Sequence, residues 1–92
     1  MTSGPEPVGT LDVALAHAEK LLVSQPRLAA EQAREILGAV PNHPAARLLL
    51  AMAHRRINDT AAALRILAPL VASQPRWAAA QRELGMALGD AG

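Results

Sequence analysis

An all-α fold, an array of antiparallel helical hairpins with about five helices, is what this sequence predicts, and three observations predict it. The first is composition. Of 92 residues, 51% are hydrophobic, 18% are charged and 1% are aromatic, with Tyr and Phe absent and Trp77 the single aromatic residue. Alanine, leucine, arginine, glutamate and glutamine favour helix, whereas the β-branched and aromatic residues that favour strands are scarce. The second is punctuation: Pro and Gly interrupt the chain at short intervals and leave apolar-periodic blocks at 10–23, 27–38, 44–57, 60–73 and 76–89. The third is that the blocks are joined by only a few residues, and short links place successive helices side by side and antiparallel.

Taken in order, residues 1–9 (MTSGPEPVG) mix Gly, Pro and Ser without periodicity and read as a disordered lead-in to a helical domain over 10–92. The first helix, starting near Thr10, should stop around Ser24, because Gln25 precedes Pro26 and a residue before proline is driven out of the α region. The second ends ahead of PNHP at 41–44, a turn that leaves Pro44 at the first helical position of the third helix, where a missing N–H costs nothing. Asp59 and Thr60 offer an N-cap for the fourth. Pro69 sits inside that helix and removes the hydrogen bond to the Arg65 carbonyl, so a kink within one helix is expected rather than two helices. Ser73 marks its end, ahead of Gln74 and Pro75. Trp77, just before the fifth helix, is expected to fill the junction between successive hairpins with its bulk.

Several classes of function fall away on composition. Without cysteine there is no disulfide scaffold, thiolate metal site or thiol nucleophile. A net charge of +1 gives no electrostatic case for nucleic acid. The charge is unevenly spread: Lys20, Arg27 and Arg34 face five acidic residues within 1–40, while six arginines face Asp59, Glu83 and Asp90 within 41–92. Such polarity would allow head-to-tail stacking, but ordinary solvated surface is the favoured reading. No basic residue precedes Lys20, no apolar leader is visible and no run reaches the length of a membrane span, so the expected location is the cytoplasm. His17, His43 and His54 lie on different segments with no carboxylate at ligand spacing. Neither a Gly-rich phosphate loop nor a nucleophile elbow occurs. No cofactor, metal or catalytic residue is expected.

Laying Pro41 on Pro75, a shift of 34 residues, brings Leu50-Ala51 onto Leu84-Gly85. Leu50, Ala51, His54, Ala63, Leu67 and Pro75 then hold the spacing of the tetratricopeptide repeat (TPR), and the chain resembles that family. In such a repeat a small residue, here Ala51 or Gly85, faces an Ala63-type position so that two helices approach closely. The sequence departs from the pattern where Arg47 and Gln81 replace a large aromatic residue, where His54 and Leu88 replace a second one, and where Asn58 replaces a turn glycine. Ala29, Ala33, Ile36 and Pro41 match the second helix of an earlier repeat, but 10–23 needs a register shift to pair with it. The resemblance implies a right-handed α-solenoid of about two and a half repeats. Stretches such as LAAEQAREILGAVPNHPAARLLLA also resemble the repeats that precede the sulfotransferase domain in bacterial TPR-sulfotransferase proteins. That alternative would put the catalytic domain beyond Gly92, with none of its residues in this chain.

The family resemblance implies a non-catalytic protein- or peptide-binding module that uses the concave face of the first helix of each repeat. By repeat position that face would present Leu48, Met52, Arg55 and Arg56 on one helix and Arg82 and Met86 on another. Methionine adapts to apolar partners and arginine forks grip carboxylates, so an acidic-hydrophobic peptide is the expected partner, with no nucleic acid and no membrane. Leu48, Met52 and Met86 stand where carboxylate-clamp repeats carry Lys and Asn, so no clamp on a terminal carboxylate is expected. GMALGDAG stops where a second helix should begin. The last helix is therefore expected to expose Leu84, Ala87 and Leu88 and to act as a cap, to associate with another copy or to continue into further chain.

Overall fold

The computed structural model describes residues 7–92, with side chains from Leu11 onward. Five helices follow one another: α1 (Pro7–Ser24), α2 (Pro26–Ala39), α3 (Pro44–Arg56), α4 (Thr60–Ser73) and α5 (Ala78–Ala91). No strand occurs among the described residues, and each helix packs on the next. This is an all-α solenoid of antiparallel hairpins. α1 begins at Pro7, earlier than Thr10, where proline suits a first helical position. Residues 1–6 of the lead-in expected over 1–9 lie outside the described residues.

The boundaries follow from local chemistry. α1 gives way to α2 across Gln25 alone, with Pro26 opening α2. α3 starts at Pro44, and the His43 side chain caps it by accepting from the Ala46 amide through Nδ1 at 3.3 Å. His43 thus does more than occupy the turn expected at PNHP. The link from α3 to α4 passes through Asn58 at φ 67°, a left-handed conformation in which asparagine substitutes for glycine. Asp59 then caps α4 by accepting from the Ala62 amide at 3.2 Å. α4 runs through Pro69 as one helix. Arg65 and Pro69 are both exposed, so the Arg65 carbonyl that loses its usual donor lies on the solvent side.

Two apolar clusters make the core. One joins Ala18 and Leu22 of α1, Ala29, Ala30 and Ala33 of α2, and Leu49 and Ala53 of α3. The other joins Leu48 and Ala51 of α3, Ala63, Leu67 and Leu70 of α4, and Ala80 and Ala87 of α5. Ala51 and Ala63 have no exposed surface, as expected for small residues at a close helix crossing. Gly85 is different: it is exposed and a Cβ there would meet nothing within 4 Å, so no close crossing among the described residues uses it. In α1, Leu15, Ala18 and Leu22 take the places that Leu48, Ala51 and Arg55 take in α3, one residue out of step with the 34-residue period.

The last helix buries more of its apolar stripe than expected. Leu84 packs against the second cluster and Ala87 is fully buried, leaving only Leu88 of the expected stripe outside at 56% exposure, near Met86 at 38%. Ala80, Leu84 and Ala87 recur at helical spacing and so share the face that α5 turns toward α4, which the sequence pattern alone did not separate from the outer side.

Candidate functional site

Odd-numbered helices form the inner face of the array. α1 touches α3 and α3 touches α5, whereas α2 and α4 make no such contact among the described residues. The row that stays closer together is the shorter, concave side.

An apolar depression of about 340 Å³ opens on that side between α1 and α3 and is bounded at one end by Trp77. Leu15 and Leu22 form one wall, and Leu48, Leu49 and Met52 the other. Glu19, exposed on α1, is the single ionisable residue lining it among the described residues. Trp77 also packs against the second cluster, which is the junction role expected of it, while another part of its side chain borders the depression. A broader and more open hollow of about 690 Å³ lies beside the first, where the N-terminus of α3 meets the turn Ser73–Trp77. Ala45 and Trp77 border both hollows. The smaller one is the better candidate for recognition, because its apolar walls come from three helices or their caps and enclose more of an occupant.

The six residues expected on the concave face separate into three groups. Leu48 and Met52 line the depression; Leu48 is mostly committed to the core and Met52 packs against both clusters. Arg55 turns onto α5, where Nε donates to Glu83 Oε1 and Nη1 to Asp90 Oδ2, each at 3.1 Å. Burial works against its charge, but the hydrogen bonds to Asp90 and Glu83 outweigh burial and hold the guanidinium above the ordinary arginine value. Its fork is thus engaged within the chain. Arg56, Arg82 and Met86 are exposed and lie outside the lining of the depression.

Residues of α1 were missed. Leu15, Glu19 and Leu22 escaped a reading by repeat position because α1 is out of step with the period. Leu49 and Ala45 escaped because they sit beside, not at, the positions assigned to the concave face. The spacing of Leu15, Ala18 and Leu22 was the available signal, since it gives α1 its own apolar stripe.

His54 stands behind this face. Its Nδ1 is buried without a hydrogen-bond partner, and Asp59 Oδ2 is 3.7 Å away. Burial pushes the imidazole below its ordinary value, Asp59 opposes that, and Arg34 and Arg65 add to it. Among the described residues no cluster of three or more His, Asp or Glu side chains could hold a metal ion, and no helix is long and apolar enough to cross a membrane.

Comparison with curated proteins and with solved structures found no match. A family model described as tetratricopeptide repeat matches residues 16–84, from within α1 to within α5. The match spans most of the chain and both helical hairpins, so by its sequence, as by the packing of small residues at its helix crossings, the chain belongs to the tetratricopeptide repeat family.

Proposed function

We propose that this chain is a binding module, not an enzyme, and that it receives a segment of a protein or peptide along the concave face of α1, α3 and α5. The observation that carries this reading is the depression walled by leucines, Met52 and Trp77 on the inner side of the array. Hydrophobic and aromatic walls of this kind supply most of the affinity for a buried anchor side chain, and the thioether of Met52 adapts to its shape. Leu48 and Met52 belong to the α3 wall, while Arg56, Arg82 and Met86 extend the surface around it. The two exposed arginines suit an acidic stretch flanking the anchor. Arg55 serves the fold instead, because both of its carboxylate partners belong to α5.

Selection of a random displayed peptide library on the intact chain tests this. Recovered peptides are expected to share a bulky apolar residue and to lose about tenfold or more in affinity on Leu15→Lys or Met52→Gln, a loss of the size expected when a buried anchor loses its pocket. Arg56→Glu with Arg82→Glu should weaken acidic peptides by about threefold to fivefold, in keeping with exposed charges. Circular dichroism confirms that each variant keeps its helix content. Affinities that survive both apolar substitutions unchanged would place the binding surface elsewhere.

A further inference from the structure

Among the described residues the depression between α1 and α3 has one charged residue on its rim, and that residue is acidic. Glu19 makes no ion pair among the described residues. The walls are otherwise apolar and include Met52 and Trp77, both suited to contact with an aromatic ring. The Met52 sulfur favours contact with a ring, and the Trp77 indole offers offset or edge-to-face packing.

We infer that this depression selects an aromatic side chain followed by a cationic one, the ring seated against Leu15, Leu48, Met52 and Trp77 and the cation paired with Glu19. The inference rests on the concave-face reading above and adds the chemistry of the segment that enters. A cation next to the anchor meets a carboxylate at the edge of a low-dielectric wall, where the pair is screened less than on open surface. An anion in the same place meets like charge. The acidic stretch suited to Arg56 and Arg82 therefore belongs elsewhere along the segment, away from the anchor.

Trp77 reports on the depression it borders, since the chain has one Trp and no Tyr. The probes are three capped Gly/Ser peptides lacking Trp and Tyr that carry Phe-Lys, Phe-Glu or Ala-Lys at the centre, titrated against the intact chain and against Glu19→Lys. Phe-Lys should shift Trp77 emission saturably. Ala-Lys should bind about tenfold or more weakly, as befits the loss of a buried ring. Phe-Glu should bind about threefold to fivefold more weakly than Phe-Lys. In Glu19→Lys, an exposed position whose change leaves the core intact, Phe-Glu should become the better ligand.

An order of Phe-Lys over Phe-Glu that Glu19→Lys leaves untouched overturns the inference, and so does equal binding of Ala-Lys and Phe-Lys. Either result leaves the concave-face reading standing if Leu15→Lys and Met52→Gln still weaken library-selected peptides. Silence of all three probes while library peptides bind at the groove also overturns it. Silence of the probes together with library peptides indifferent to those substitutions removes both readings.

Discussion

Across α1 and α2 the buried side chains are Ala18, Leu22, Ala29, Ala30, Ala33 and Ile36, whereas the packing of α3, α4 and α5 includes Leu67 and Leu70, both fully buried, with Trp77 packed against their cluster. The two regions reach the same arrangement by different means. Alanine facing alanine lets helix axes approach closely but removes little apolar area from water per residue. Leucine adds area at each crossing. The second region also carries the Arg55 pairs to Glu83 and Asp90, while Leu22, the counterpart of Arg55 in α1, is a plain apolar residue. In an array where each unit contacts only its neighbours, stability is a sum of units and interfaces, and the first hairpin holds the smaller share.

The largest effect that would break this comparison is expected in the core. Leu67→Ala should cost about 3–5 kcal/mol, because nothing around a fully enclosed leucine can refill the space, and Leu22→Ala about 2 kcal/mol, because its site opens toward the groove. Urea unfolding of both variants checks this, and equal losses would mean that the two regions are equally deep. Next comes the cross-helix ion network. Arg55→Met leaves Glu83, only 10% exposed, without its guanidinium and should cost about 1–3 kcal/mol. Adding Glu83→Leu should restore most of that. A double-mutant cycle showing simple additivity would mean that the pair contributes nothing to the second region's advantage.

The smallest effect sharpens the comparison at the turn between α3 and α4. His54 has an ordinary value of 6.5, which folding lowers. The unfolded chain therefore binds more protons than the folded one, and stability is full above pH 6.5 and falls as the pH drops through 6.5 toward the lower folded value. Urea midpoints measured from pH 7.5 to 5 should decline over that window, and His54→Leu should remove part of the decline. An identical slope in the variant would show that burial of this imidazole is not its source.

Much of the fold was legible because its signals are local or periodic. The 34-residue offset of Pro41 and Pro75, the small pair Ala51 and Ala63, and the cap at Asp59 each depend on a few neighbouring residues. Asn58 could stand where glycine was expected because asparagine tolerates its φ of 67°. Legibility failed where helix rotation decides the outcome. Whether Leu84 and Ala87 point inward depends on how α5 turns against α4, and the partners of Arg55 depend on how α3 and α5 lie side by side. The site was legible to the same degree. Repeat position found Leu48 and Met52, but the α1 wall follows from a helix whose apolar stripe is one residue out of step.

Arg55 grips two carboxylates that are seven residues apart on α5, so its guanidinium holds that helix at two points two turns apart. These pairs add to the packing of Ala80, Leu84 and Ala87, which already seats α5 on the second cluster. The α1 side of the groove has only Leu and Ala packing against α3. The two attachments to α3 therefore differ in kind, α5 being tied to it by ion pairs as well as apolar contact and α1 by apolar contact alone. Salt should loosen the first kind of attachment and spare the second, because charge pairs are screened and apolar contacts are not.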